Sequence, residues 1–214
     1  MRVKFCGVTN LDDAHEAARL GAWAIGLNHH PESPRFCEPA MAAEIGAALR
    51  RQLEIVGVFV NQTLGQVSAA AEDESLTMVQ LHGDEGPSYC AEVARRTGAK
   101  IVKAARVRGG ADINALEAFH TDFHLLDAHQ PGRYGGTGET FDWELVLRRR
   151  TDTPLVLSGG LDPDNVADAI AATSPFAVDT ASGTEARPGV KDPAKLRAFA
   201  AAVAATAPAV AEPA

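Results

Sequence analysis

Two side chains capable of acid–base chemistry lie near the ends of separate apolar runs. Cys6 lies near the end of the first run, and Asp127 closes a later run that starts at Phe123. If both runs are strands ending at one edge, the thiol and the carboxyl group can act as general base and general acid. That chemistry requires an ionised thiol and a protonated carboxyl group, which protein surroundings can produce. Taken singly, Cys6 also fits a small buried apolar residue, and Asp127 fits a helix cap or an arginine partner.

Glycines follow two further apolar runs near the end of the chain. Gly159 and Gly160 come after the seventh run, and Ser182 and Gly183 come after the eighth. Glycine lets backbone N–H groups approach an oxyanion closely, and loops at these two positions of an eightfold barrel commonly hold phosphate. Each site alone also fits a tight turn. Together they predict a phosphate site.

The segment after the second run carries an arginine and two adjacent histidines. Arg35 could hold a carboxylate through both arms of its guanidinium group, although a lone arginine is more often solvated. His29 and His30 have no third ligand at a useful spacing, so we predict no metal site. The glycine-rich stretch 135–138 fits a lid or a phosphate-contacting turn, on weak evidence.

Eight short apolar runs are available to position these residues. Each is too short for a helix, and several are almost continuously apolar, which is typical of strands covered on both faces in a parallel sheet. The predicted strands are 3–8, 22–27, 55–60, 78–82, 101–107, 123–128, 155–158 and 177–180.

Segments with helical periodicity separate and follow these strands. The predicted helices are 11–20, 38–53, 63–74, 87–97, 111–119, 142–150, 163–172 and 193–203. Eight strand–helix units in this length predict an α/β fold, a single (β/α)8 TIM barrel over residues 1–203, with a frayed tail over 204–214. An open doubly wound sheet is disfavoured because no GxGxxG sequence follows the first strand.

Composition excludes several classes of protein. The chain has 214 residues, a net charge of −8, and three cysteines without regular spacing. There is no basic stripe, no apolar stretch of membrane length and no disulfide pattern, so we expect no nucleic-acid or membrane partner. The opening residues lack a signal-peptide core, which favours a cytoplasmic protein. No obligate protein partner is evident.

Ordered motifs along the chain resemble the phosphoribosylanthranilate isomerase family. They run from about Val3 to Phe199 and are strongly specific as an ordered set. The matching segments are 4–9 (KFCGVT), 33–35 (SPR), 56–61 (VGVFVN), 79–83 (VQLHG), 125–127 (LLD), 135–143 (GGTGETFDW), 158–161 (SGGL) with Asn165, 178–179 (VD) with 182–185 (SGTE), and 188–192 (PGVKD).

The resemblance implies a cofactor-free Amadori rearrangement of a phosphorylated ribosylamine. Asp127 would be the general acid that opens the furanose ring, Cys6 the general base that removes the C2′ proton, and Arg35 the group that holds the anthranilate carboxylate. The implied further contacts are His82, Gly136 and Asp179 for the substrate, and Gly159, Gly160, Ser182 and Gly183 for its phosphate.

Three departures from the family pattern leave alternatives open. Residues 26–30 read GLNHH where an aromatic-apolar run is usual, Ala181 replaces one of two usual serines, and Phe5 replaces a common isoleucine. The first departure admits an isomerase retuned to another aminoaldose phosphate or another substituted anthranilate. A non-catalytic barrel that binds a phosphate ligand is a third reading, because a barrel fold alone does not fix function.

Overall fold

Eight parallel strands close into one barrel in the computed structural model, which describes residues 1–128 and 142–207. β1 pairs with β8, from Arg2 opposite Ala177 to Phe5 opposite Thr180, and this pairing completes the ring. The strands are β1 Arg2–Cys6, β2 Ala24–Asn28, β3 Glu54–Phe59, β4 Met78–Leu81, β5 Lys100–Val107, β6 Phe123–Ala128, β7 Leu155–Leu157 and β8 Ala177–Thr180. The predicted barrel is confirmed, and each strand lies within two residues of its predicted bounds.

Helices surround the barrel and connect its strands. They are α1 Leu11–Arg19, α2 Pro39–Leu49, α3 Leu64–Asp73, α4 Pro87–Thr97, α5 Gly110–Ala115, α6 Val166–Thr173 and α7 Pro193–Ala205. A 3-10 helix Leu116–Ala118 follows α5, and another, Trp143–Arg148, precedes β7. α7 continues two residues beyond the predicted boundary at 203, and residues 208–214 lie outside the described part.

The helix predicted over 38–53 ends four residues early, at Leu49, and two other predicted helices differ from the structure for local reasons. α6 starts at Val166 instead of 163, because the Asp162 side chain accepts bonds from the N–H groups of Asp164 (2.9 Å) and Asn165 (3.0 Å). These bonds hold 162–165 as a turn. The segment predicted as helix 142–150 forms a 3-10 helix, in which Leu145 N–H bonds to the carbonyl of Asp142.

Capping residues mark where several helices begin and end. Asn10 accepts a bond from Asp13 N–H at the start of α1, and Thr63 forms a capping box with Gln66 at the start of α3. α4 ends at Gly98, which adopts the left-handed conformation. These short polar signals explain why the sequence predicted most helix positions closely.

Alternate strand residues point into the barrel and form two unlike layers. The amino-terminal end of the interior is apolar, and Trp23 and Phe176 pack on Phe123 with ring centroids 5.4 and 5.2 Å away. The buried interior residues are Ala24, Val56, Met78, Val102, Ala104, Phe123, Leu125, Val156 and Ala177. The carboxyl end of the interior is polar, which leaves that end for chemistry.

A short antiparallel hairpin, which the sequence did not predict, follows β8. Its strands are β9 Glu185–Arg187 and β10 Val190–Lys191. Thr9 donates to the carbonyl of Gly189 (2.6 Å), and Lys191 N–H bonds to Asp13 (3.1 Å), so the hairpin is fastened to the loop and helix that follow β1. No helix within the described ranges is both long and apolar enough to span a bilayer.

Candidate active site

A cavity at the carboxyl end of the barrel brings together five of the ten predicted site residues, whereas the four predicted phosphate residues are not part of its lining. Its lining is Cys6, Asn28, His30, Arg35, Val58, Val60, Gln80, His82, Asp127, Ser158, Asp179 and Ala181. Cys6 from β1 and Asp127 from β6 thus share one cavity. Gly136 lies outside the described residues, so its predicted substrate contact stays a prediction.

Cys6 lies at the edge of β1, partly buried in this cavity. Burial raises the pKa of the Cys6 thiol, Lys4 and Lys191 act to lower it, and the effect of burial is the larger. Gly26 on β2 makes room for the group, because a Cβ there would lie only 2.6 Å from the Cys6 sulfur.

The carboxylate of Asp127 faces a histidine that is held by a glutamine. His82 Nε2 lies 3.3 Å from Asp127 Oδ2, and the Gln80 amide nitrogen lies 2.8 Å from His82 Nδ1. The distance to Asp127 does not make a hydrogen bond, and His82 Nε2 has no hydrogen-bond partner among the described residues. The substrate contact that the resemblance implied for His82 stays a prediction. Gln80 was missed.

Asp179 is the partner of a buried lysine. Its carboxylate accepts a bond from Lys4 Nζ at 3.0 Å and from the Ser158 hydroxyl at 3.3 Å. Lys4 and Asp179 are also register partners across β1 and β8. Lys4 was missed as a site residue, although strand alternation would have placed it on the same face as Cys6.

Arg35 projects into the cavity with its guanidinium group held by a buried carboxylate. Arg35 Nε and one terminal nitrogen lie 2.8 and 2.7 Å from the two oxygens of Glu185, a two-point ion pair. Glu185 also lies 3.5 Å from Lys191 Nζ. The alternative of a solvated surface arginine is therefore wrong. Glu185, 150 residues away in sequence, had no local signal.

The predicted phosphate loops lie against each other after β7 and β8. Gly159 and Gly160 both have positive φ, 93° and 67°, which favours glycine. Ser182 begins a 3-10 helix, and a Cβ on Gly183 would lie 2.1 Å from the carbonyl oxygen of Leu161. Gly183 is thus needed for close packing of the two loops, whichever ligand they bind.

The two adjacent histidines point to different parts of the protein. His30 lines the cavity, whereas His29 is buried and stacks on Phe59 with ring centroids 4.5 Å apart. His29 Nε2 lies 2.6 Å from the buried carboxylate of Glu74, and Nδ1 lies 3.1 Å from the Leu27 carbonyl oxygen. Within residues 1–128 and 142–207, no three histidine, cysteine or acidic side chains are grouped to hold a metal ion.

The His29–Glu74 pair is expected to contribute strongly to stability. Replacing His29 with leucine leaves the Glu74 carboxylate buried and unpaired, which should lower the free energy of unfolding by about 3–5 kcal/mol. Urea denaturation followed by circular dichroism measures the loss. The double variant H29L/E74M removes both polar groups and should recover most of it. A single variant less than about 1 kcal/mol below the native protein would contradict the pairing.

Comparison with known proteins agrees with this site. A family model described as N-(5′-phosphoribosyl)anthranilate (PRA) isomerase matches residues 3–202. The chain belongs to this family. The N-(5′-phosphoribosyl)anthranilate isomerase of Citrifermentans bemidjiense is 46% identical over 196 residues, which are 92% of this chain and 93% of that protein.

Solved structures of phosphoribosylanthranilate isomerases have the same fold as this chain. The Thermus thermophilus structure superposes with a TM-score of 0.87 at 37% identity, over 96% of this chain and 99% of its own. The Thermotoga maritima structure gives 0.85 at 41% identity, with the same two coverages. Another, solved with reduced 1-(o-carboxyphenylamino)-1-deoxyribulose 5-phosphate, gives 0.82 at 38% identity, again over 96% and 99%. The predicted family is confirmed.

Proposed function

We propose that this protein isomerises N-(5′-phosphoribosyl)anthranilate to 1-(2-carboxyphenylamino)-1-deoxyribulose 5-phosphate in tryptophan biosynthesis. The observation that carries the proposal is the shared cavity of Cys6 and Asp127 in a member of this isomerase family. A thiol and a carboxyl group suffice for the reaction, which moves protons and exchanges no electrons with a cofactor.

Asp127 acts first, as the general acid. Its carboxyl proton passes to the furanose ring oxygen, the bond from that oxygen to C1′ breaks, and the nitrogen lone pair forms a C=N bond to C1′. The product is an open-chain iminium ion with a new hydroxyl group at C4′. His82 lies beside this carboxyl group, with Nε2 3.3 Å from Asp127 Oδ2.

Cys6 then acts as the general base. Its thiolate removes the C2′ proton, which the neighbouring C=N bond makes acidic, and the electron pair moves toward nitrogen to give an enolamine. Loss of the proton on the C2′ hydroxyl and gain of one at C1′ convert the enolamine to the ketone. Exchange of one proton each with water returns Cys6 to thiolate and Asp127 to the acid.

Binding groups surround the two reacting side chains. Arg35, fixed by Glu185, is the group we assign to the anthranilate carboxylate. We assign the phosphate to the paired loops with Gly159, Gly160, Ser182 and Gly183, and further substrate contacts to His82, Gly136 and Asp179. General acid–base assistance supplies about 10²–10⁴-fold, so correct holding of the opened sugar must supply the rest.

The second candidate is an isomerase that acts on a different but related substrate, and one observation favours it. Asn28 and His30, which belong to the segment that departs from the family pattern, both line the cavity. Their polar groups lie where an aromatic-apolar run is usual, so a more polar ring or another aminoaldose phosphate fits this wall. His29, by contrast, is turned away from the cavity toward Glu74 and does not bear on the substrate.

The test is steady-state kinetics of the purified protein with two substrates. We expect turnover of phosphoribosylanthranilate, followed by loss of its fluorescence, with kcat/KM at least 100-fold above that for the aminoaldose of the histidine pathway. The reverse preference would establish the retuned enzyme. Phosphate-ligand binding without turnover of either compound would establish a non-catalytic barrel. We place the reaction in the cytoplasm, which stays a prediction.

A further inference from the structure

Lys4 is a buried cation that the mechanism above does not use. It is 2% exposed and lies two residues before Cys6 on β1, so both side chains point into the barrel. Its ammonium group donates to Asp179 at 3.0 Å. A Cβ placed on Gly26 would lie 3.2 Å from Lys4 Nζ and 2.6 Å from the Cys6 sulfur, so the ammonium group and the thiol border the same small space beside β2.

The buried thiol of Cys6 needs a nearby cation if it is to act as a thiolate base. Burial disfavours the thiolate because the charge is removed from water, and a fixed ammonium group near the sulfur opposes that effect. Burial also favours the neutral amine of Lys4, but the Asp179 carboxylate and the nearby Cys6 outweigh it and raise the Lys4 pKa. Asp179 thus keeps Lys4 charged beside the thiol.

Several other charged or titratable side chains surround Cys6. Those that share its cavity are His30, Arg35, His82, Asp127 and Asp179. Lys4 lies on the same strand, and Lys191 also acts on the thiol and is itself paired with Glu185. Of the two lysines, Lys4 is the one that borders the same space beside Gly26 as the Cys6 sulfur.

We propose that Lys4 is a positioning residue that stabilises the thiolate of Cys6 and so prepares the general base. The inference rests on the proposed function for the role of that thiolate, but the Lys4–Cys6 coupling can be measured without turnover. The competing reading is that Lys4 and Asp179 only fasten β1 to β8, as register partners across the closing strand pair.

The test follows alkylation of Cys6 by iodoacetamide as a function of pH. Peptide mass spectrometry separates Cys6 from Cys37 and Cys90, and the midpoint of the rate curve gives the Cys6 pKa. We expect K4M to move that midpoint upward by about one pH unit or more, because the thiolate loses its cation. The pH profile of kcat/KM should move in the same direction.

Two further variants distinguish stabilisation of the thiolate by Lys4 from a purely structural role of the Lys4–Asp179 pair. K4M/D179N removes both charges and leaves no buried carboxylate unpaired, so it replaces K4M in the alkylation experiment if K4M alone does not fold. The Cys6 midpoint should stay above that of the native protein, because the thiolate of this variant has no Lys4 ammonium group beside it. K100M removes an exposed lysine paired with Glu54 at 2.6 Å and should change nothing at Cys6.

Three results would overturn or separate the proposals. An unchanged midpoint in K4M, or a native midpoint in the double variant, overturns the role of Lys4. If the native protein shows no isomerase turnover but K4M still shifts the Cys6 midpoint, the proposed function fails while the Lys4–Cys6 coupling stands. If turnover is present and the midpoint does not move, the function stands and the Lys4 inference fails.

Discussion

Replacing Asp127 with asparagine is expected to lower kcat/KM by about 10²–10⁴-fold, the usual contribution of a general acid. Asparagine has nearly the same shape, but its amide cannot give a proton to the ring oxygen. Ring opening therefore loses its general acid and slows. The carboxylate of Asp127 is buried beside His82, and asparagine fits the same space. Steady-state kinetics with phosphoribosylanthranilate, on protein of native melting temperature, measures the loss.

A matched variant shows whether the loss is specific to the acid. Asp152 is exposed and lies before β7, so D152N makes the same chemical change away from the cavity and should keep native kinetics. If D127N retains more than a tenth of native kcat/KM, Asp127 is not the acid that opens the ring. His82 would then be the next group to test, because its Nε2 also faces this part of the cavity.

Local sequence signals predicted the barrel and the meeting of Cys6 and Asp127 in one cavity. Apolar runs fixed the eight strands, and a barrel with strands in chain order brings every strand's carboxyl end to one face. Cys6 and Asp127 could therefore be placed together although they lie on strands far apart in the sequence. Capping residues such as Asn10 and Thr63 predicted where helices begin, because each bonds to a backbone N–H group only three residues later.

Partners that meet only in the folded chain could not be predicted. Glu185 holds Arg35 from 150 residues away, and Asp179 holds Lys4 from 175 residues away. Arg35 and Asp179 were predicted as site residues, but their partners Glu185 and Lys4 were not, because lysine and glutamate are almost never fully buried unless paired and a single sequence does not show the pairing. The partner of His29 could not be predicted either, because Glu74 lies 45 residues away, at the end of α3.

Replacing Cys6 with serine is expected to lower kcat/KM by about 10²–10⁴-fold, because proton removal from C2′ loses its base. A hydroxyl group ionises far less readily than a thiol, so even the cation of Lys4 cannot make serine an effective base. The smaller oxygen atom also fits the space beside Gly26 without a clash. Single-turnover kinetics should show that substrate still binds and that the chemical step has slowed.

Two further variants, C90A and C6S/D127N, test whether the loss in C6S is specific to the general base. Cys90 is buried in α4 away from the cavity, and C90A should keep native kinetics once folding is verified. Cys6 and Asp127 serve successive steps of one reaction, so C6S/D127N should be much less impaired than the product of the two single losses. Fully multiplicative losses would mean that the two groups act independently, and near-native turnover in C6S would remove the thiol as the base.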